Sequence, residues 1–201
     1  MLDSKFRNKT IFITGHTGFK GTWLCTWLLK MGAKIVGLSK DIPTTPSMIE
    51  ELGVLEKINH VIGDVRDHET VLKLLNEHNP DYIFHLAAQP IVSVSYSDPI
   101  ETVSTNVLGT ATVLDCLLKW NKPSSAIIIT SDKCYENVEW PWGYKETDHL
   151  GGKDIYSGSK GAAEIIFHSF YESFYKKAGC NVKIASARAG NVIGGGDWAQ
   201  D

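Results

Sequence analysis

A chain of 201 residues, 43% of them hydrophobic, is long enough for a single domain with a buried core. Its formal net charge is −3 with no long basic run, which argues against nucleic acid as a partner. No apolar stretch approaches the roughly 20 residues of a membrane span, and the N-terminal MLDSKFRNK has no apolar core, so no membrane association is expected and the cytoplasm is the expected location.

Residues 10–14 are a short apolar run that predicts a strand, and Thr14-Gly15-His16-Thr17-Gly18-Phe19-Lys20-Gly21 follows. Phe19, Trp23, Leu24, Trp27, Leu28 and Met31 then recur at helical spacing, and Gly32 is a helix stop before a second apolar run at residues 33–38. Strand, glycine turn, helix and strand make a βαβ unit. Within it Gly15 permits the sharp turn, Gly18 lets main chain approach a diphosphate, and Gly21 lets the helix pack on the sheet. The free N–H groups of the helix N-terminus attract the anion. The spacing is G-x-x-G-x-x-G rather than G-x-G-x-x-G, and glycine triplets also occur in plain turns; the flanking strand and helix are what point to a dinucleotide. Gly15, Thr17, Gly18, Phe19, Lys20 and Gly21 are the expected cofactor contacts of this loop.

Ser39-Lys40-Asp41 follows the second strand, where an acid would hold a ribose 2′-OH and a cation a 2′-phosphate. Ser39 is expected beside the cofactor; Lys40, with Asp41 slightly late, leaves NAD or NADP open. Residues 42–47 carry two prolines and read as a loop, residues 48–57 as a short helix, and residues 60–64 as a third strand ending at Asp64-Val65. Asp64 there is either a ligand contact or a helix N-terminal acid. Val71, Leu74 and Leu75 mark an amphipathic helix over residues 67–78. A fourth strand, residues 81–87, runs into Ala87-Ala88-Gln89-Pro90, where small residues let a cofactor lie against the strand end.

Asp98-Pro99 is an N-cap followed by proline, and the helix it starts runs to about residue 120. Asn106 inside it either holds main chain or water in the site or is a satisfied buried amide. Residues 125–131 form the fifth strand, whose continuous apolar run suits a parallel strand buried on both faces. Residues 134–154 are irregular, residues 156–177 a long helix stopped by Gly179, and residues 182–187 the sixth strand. The alternation predicts an α/β fold, a doubly wound parallel sheet of Rossmann type, with ligands at the carboxyl ends of the strands. Cys25, Cys116, Cys134 and Cys180 are scattered without C-x-x-C, as reduced thiols would be. The seven histidines show no H-E-x-x-H or paired spacing, so no metal is expected.

Tyr156 and Lys160 stand at i and i+4 on one helix face. An ammonium beside a phenol stabilises phenolate. The pattern Y-x-x-x-K is common by chance; its position one helix after a strand ending Thr130-Ser131-Asp132 is what singles it out. Ser131 can donate to a substrate oxygen, and Asp132 is either an acid or a turn cap.

The T-G-x-x-G-F-x-G loop and the set Ser131, Tyr156 and Lys160 resemble the short-chain dehydrogenase/reductase superfamily, in its extended branch of sugar-nucleotide epimerases and dehydratases. Thr130-Ser131-Asp132-Lys133-Cys134-Tyr135-Glu136-Asn137, Glu139-Trp140, Gly143-Tyr144, Glu146, Asp148 and Leu150-Gly151-Gly152 sharpen the likeness, as do His85-Leu86-Ala87-Ala88-Gln89-Pro90 and the run from Arg188 to Trp198. They are similar to the CDP-glucose branch of the 4,6-dehydratases, over nearly the whole chain. The resemblance implies NAD as cofactor, with Asp64 and Val65 at the adenine and Leu86, Ala87, Ala88 and Asn106 along its length. Tyr156 and Lys160 would meet the nicotinamide ribose as well as act in catalysis with Ser131, Asp132 and Lys133. Gln89, Ser131 and Asn191 would contact the substrate, CDP-glucose.

The implied reaction oxidises the sugar at C4, eliminates water across C5 and C6, and reduces C6, on the way to the deoxysugars of surface polysaccharide such as lipopolysaccharide. The dTDP-glucose enzymes have Asp-Glu where this chain has Asp132-Lys133, and a lysine serves as the C5 base only when neutral. The family also carries a further C-terminal region that closes over the sugar nucleotide, whereas this sequence stops at Asp201. Residues 1–201 are therefore expected to be the NAD-binding domain, with the substrate region mostly absent, and the full-length form is expected to be a homo-oligomer. The alternatives are a sugar-nucleotide 4-epimerase, which shares the Tyr–Lys pair but does not need Asp132, and a truncated NAD-binding module without turnover.

Overall fold

The computed structural model describes residues 4–198; Asp201 and the first three residues lie outside them. Six parallel strands, β1 (Thr10–Thr14), β2 (Lys34–Ser39), β3 (Asn59–Ile62), β4 (Tyr82–His85), β5 (Ser124–Ile129) and β6 (Val182–Ala187), form one sheet in the order β3-β2-β1-β4-β5-β6. The order reverses beside β1, which pairs with β2 on one side and β4 on the other, Thr14 standing opposite both Leu38 and His85. A crevice opens at such a reversal, outside the carboxyl ends of the strands.

β1 shows why its sequence makes a central strand. Ile11 and Ile13 point into one core with Cys25, Leu28, Ala33, Ile35 and Ile49, while Phe12 points into the other with Leu75, Ile83, Leu114 and Leu117. Successive apolar residues at Ile11, Phe12 and Ile13 are what burial on both faces requires. Helix α1 (Phe19–Lys30) covers the first face; α3 (His68–His78), α6 (Gly109–Trp120) and α7 (Ile155–Phe170) cover the second. Towards β6 the first face is thinly covered, and Ala185 and Ala187 are exposed.

Caps set several boundaries. Asp67 accepts from Glu69 N and Thr70 N to start α3, and Asn79 ends it with φ 45°. Asp154 accepts from Ser157 N and starts α7 one residue before Tyr156. Other boundaries differ from expectation. The third strand stops at Ile62, so Asp64 lies in the turn beyond it, where its carboxylate accepts from Arg66 N at 2.8 Å. The helix expected over residues 48–57 is a short α2 (Met48–Glu51) and a separate turn at Leu55–Lys57, because Gly53 takes a positive φ between them. An unexpected α4 (Val92–Ser97) precedes α5 (Pro99–Val103), and α5 runs into α6 through a π-helical turn at Ser104–Leu108 that contains Asn106. The long helix likewise ends in a π turn, Tyr171–Tyr175.

Candidate active site

Four segments meet at the carboxyl edge of the sheet: the glycine loop after β1, the Leu86–Gln89 segment after β4 (residues 86–89), the turn after β5, and the first turns of α7. At Gly15, φ is +74° and an added Cβ would stand 2.6 Å from Ala87 N. At Gly21 it would stand 2.1 Å from Gly15 O. Glycine at these two places is therefore required by the protein's own packing. Gly18 differs. A Cβ there would meet only Gly15 O, at 3.6 Å, and the adjoining N-terminus of α1 carries no side-chain cap and no acid in its first turn. Open space before uncapped helix N–H groups fits a diphosphate.

The loop is pinned from behind by side chains whose role the motif alone did not disclose. Buried His16 has Nδ1 2.9 Å from Ser39 Oγ and Nε2 2.6 Å from His60 Nδ1, and its ring fills the space a Cβ at Gly37 would occupy. Burial, then the neighbouring His60, pushes His16 down to about 4, and burial lowers His60, so two neutral rings share one hydrogen bond. Thr17 N donates to Ser39 Oγ at 3.3 Å and Thr17 Oγ1 to Asp41 O at 2.7 Å. Phe19, half-buried, lies with Trp23 beside Gly194, and Trp23 Nε1 donates to Gly195 O at 3.1 Å. The segment after β6 thus crosses back over α1. Asn191 lies exposed on that segment.

At the other side, Tyr156 and Lys160 are 9% and 7% exposed, with Lys160 Nζ 5.9 Å from the Tyr156 ring centre. Burial, then the Lys20 ammonium, lowers Lys160 to about 8. Lys20 in turn feels the Asp132 carboxylate, which opposes the lowering caused by its own burial. Lys20, which the sequence assigns to the glycine loop, is thus within electrostatic reach of both Asp132 and Lys160. Ser131 Oγ donates to Asp132 Oδ1 at 3.1 Å and accepts from Lys133 N at 3.2 Å, while Asp132 N donates to Ala189 O at 3.0 Å. Asp132 and Lys133 are exposed.

Asn106 is buried and fully used: Oδ1 accepts from Gln89 N at 2.8 Å, and Nδ2 donates to Gln89 O at 3.2 Å and Ser159 Oγ at 2.8 Å. It ties the segment after β4 to α7 by side-chain bonds. The Gln89 amide is folded back on Ile91 and Thr102. The Val65 side chain is buried against Gly109, so only its main chain could meet a ligand. Leu86 and Ala87 are held on Thr14, by Leu86 N to Thr14 O at 3.0 Å and Ala87 N to Thr14 Oγ1 at 3.3 Å; Ala88 follows, half-buried.

Two buried networks support this edge. His85, which burial and then Lys160 push down to about 3, stands neutral between Thr14 Oγ1 at 2.7 Å and Thr110 Oγ1 at 3.2 Å. Glu164, 3% exposed, accepts from Thr130 Oγ1, from Ser186 Oγ at 3.2 Å and from Arg188 Nη2 at 3.0 Å. The Arg188 guanidinium also lies over the Tyr135 ring at 4.9 Å and donates to Glu146 O at 3.0 Å. Glu164 follows Lys160 at i+4 and Tyr156 at i+8, a spacing that marks one helix face and could have been read. Among the described residues no group of His, Cys, Asp and Glu is arranged to hold a metal, and no helix is long and apolar enough to cross a membrane.

Comparison with known proteins matches residues 12–189 to the family model described as GDP-mannose 4,6 dehydratase. The chain is 48% identical, over its whole length and 57% of the relative's, to CDP-glucose 4,6-dehydratase of Salmonella typhimurium. It is 29% identical, over 77% of the chain and 50% of the relative, to CDP-paratose 2-epimerase of Salmonella typhi. It thus spans about half the length of the curated relatives it matches. Among solved structures, MoeE5 in complex with UDP-glucose and NAD superposes with a TM-score of 0.75 at 22% identity, over 94% of this chain and 56% of that one. The Thermus thermophilus UDP-glucose 4-epimerase complex with NAD gives 0.75 at 24%, over 89% and 54%. These likenesses carry the fold. The family match runs from β1 through both halves of the crevice to the segment after β6, and the chain belongs to the GDP-mannose 4,6 dehydratase family.

Proposed function

We propose that this chain forms the cofactor-binding and catalytic half of an NAD-dependent lyase that dehydrates CDP-glucose to CDP-4-dehydro-6-deoxyglucose. The observation that carries the reading is the identity of 48% to a CDP-glucose 4,6-dehydratase across the entire chain. It is supported by the crevice, in which buried Tyr156 and Lys160 face a turn bearing Ser131, Asp132 and Lys133.

The bound nicotinamide would supply a hydride acceptor for C4 that becomes the donor for C6. Open space at Gly18 before the uncapped N-terminus of α1 suits the cofactor's diphosphate. Tyr156, as phenolate, takes the proton of the sugar 4-OH, and the Lys160 ammonium stabilises the phenolate from the next turn. Ser131 donates to the C4 oxygen. The 4-ketone acidifies C5–H, and Lys133, when neutral, removes that proton; the electron pair forms the C5–C6 double bond as the C6–O bond breaks. Asp132, as the carboxylic acid, gives its proton to the departing hydroxyl, which leaves as water. When hydride would return to C6, the electron pair passes to C5, which takes its proton from Lys133 after exchange with solvent, so that Lys133 is neutral again; the proton Tyr156 took from the 4-OH replaces, through solvent, the one Asp132 gave to water.

Further parts of the reading belong here too. Gln89 and Asn191 contact substrate, and the remaining surface for CDP comes from a region the relatives carry and this span does not include. Exposed Ile100, Val103, Leu108 and Ile165 on the helices around α5 and α7 support a homo-oligomer. A soluble nucleotide sugar as substrate suits the cytoplasm, and the product suits supply of deoxysugars to lipopolysaccharide. The test is product mass with CDP-glucose in deuterated water, on a form of the protein that also carries that further region. Loss of water with one deuterium at C5 is expected; a product of unchanged mass would make the protein an epimerase, and NAD binding without turnover would leave a binding module.

A further inference from the structure

β2 delivers Ser39, Lys40 and Asp41 to the crevice, and Thr17 holds Ser39 Oγ and Asp41 O against the glycine loop at 3.3 and 2.7 Å. In a doubly wound sheet this is where the adenosine ribose lies: a carboxylate there favours the free 2′-OH, and a cation accepts a 2′-phosphate. Lys40 by its charge alone therefore points to the phosphorylated cofactor. The tertiary structure reverses that. Glu101, 61 residues away on α5, binds Lys40 Nζ at 2.9 Å.

Glu101 is itself anchored. Arg66 donates to it through Nη1 at 2.6 Å and Nη2 at 3.2 Å, and Thr105 Oγ1 donates at 3.3 Å. Arg66 also pairs with Asp64 at 2.6 Å and reaches Ser104 Oγ at 3.1 Å. Lys40, Arg66, Asp64 and Glu101 thus carry two positive and two negative charges that cancel. A 2′-phosphate arriving here would bring about two more negative charges beside the Glu101 carboxylate and would have to take Lys40 from it. A free 2′-OH meets no such opposition.

We infer that Glu101 is the residue that selects the unphosphorylated dinucleotide, by engaging Lys40 and so denying it to a 2′-phosphate. This rests on the dinucleotide reading above. The side chains of Lys40 and Glu101 are 60% and 30% exposed, so Glu101→Gln shifts the preference without unfolding the domain, which a melting curve checks. Calorimetry is done with NAD and NADP, and with 5′-AMP and adenosine 2′,5′-bisphosphate, which differ only by the 2′-phosphate. Unsubstituted protein favours NAD and 5′-AMP. Glu101→Gln strengthens NADP and the bisphosphate about tenfold relative to their partners, the size of one charge-assisted contact. The gain shrinks as salt rises and is lost when Lys40→Ala is added. An unchanged ratio in folded Glu101→Gln that still binds NAD overturns the inference alone, as does unsubstituted protein that binds NADP as tightly as NAD. Unsubstituted protein that binds neither dinucleotide overturns the dinucleotide reading and this inference with it.

Discussion

The β1–β2 end of the crevice and the β5–β6 end are held by different forces. At the first, main chain meets main chain: Gly15 and Gly21 leave room that a single methyl group would fill, and the groups behind them, His16 and His60, are neutral. At the second, charges are buried. Lys160 is 7% exposed, Glu164 3%, and Arg188 binds Glu164 while covering Tyr135. The first arrangement makes a rigid seat for an anion and needs no titrating group. The second keeps a proton-transferring pair in low dielectric, where a nearby charge acts strongly, and ties it to the two strand ends and the loop that bear the other reactive side chains.

Substitutions at each end sharpen that contrast. The largest effect is expected for Tyr156→Phe in a form of the protein that turns over CDP-glucose. Hydride transfer should fall about 10³-fold, near 4 kcal/mol, while NAD affinity measured by calorimetry stays within a few-fold, because only the acid–base step is lost. Turnover near the unsubstituted rate would remove Tyr156 from the chemistry. Next, Glu164→Gln leaves Arg188 without its buried counter-charge and should cost roughly 3 kcal/mol of stability in denaturant unfolding. A change below about 0.5 kcal/mol would mean the network at the β5–β6 end is not what holds it.

Gly15→Ala tests the other end. It forces φ +74° on a residue with a Cβ and drives that Cβ to 2.6 Å from Ala87 N. About 2 kcal/mol of destabilisation is expected, together with weakened NAD binding. Gly18→Ala should leave stability nearly unchanged and weaken NAD binding all the same. Equal losses of stability at the two glycines would contradict the distinction between packing and ligand space.

The smallest effect is one of pH. Lys160 sits near 8 in the folded protein against an ordinary 10.5, chiefly through burial. Its ammonium supports the Tyr156 phenolate, so the rate should fall about tenfold per unit above pH 8. Stability should move the other way. Between pH 8 and 10.5 the unfolded lysine holds a proton that the folded one has lost, so this group's contribution to unfolding free energy rises across that window. Rate and stability profiles that fall together above pH 8 would show that another group governs both.

How much of this was legible beforehand follows the same division. Periodicity in one dimension determined the six strands, their alternation with helices, the glycine turn and the i, i+4 pair of Tyr156 and Lys160, because backbone geometry translates directly into spacing. The likeness of residues 130–160 and 188–198 to a dehydratase family rested on side-chain order and was equally visible. Three things were decided only by the tertiary structure. Arg66 joins Asp64 to Glu101, 35 residues further on, Asn106 ties Gln89 to Ser159, and Lys40 is claimed by Glu101 from 61 residues away. Each depends on which partner a side chain finds across the crevice. That is a property of folded distance, which sequence separation does not encode.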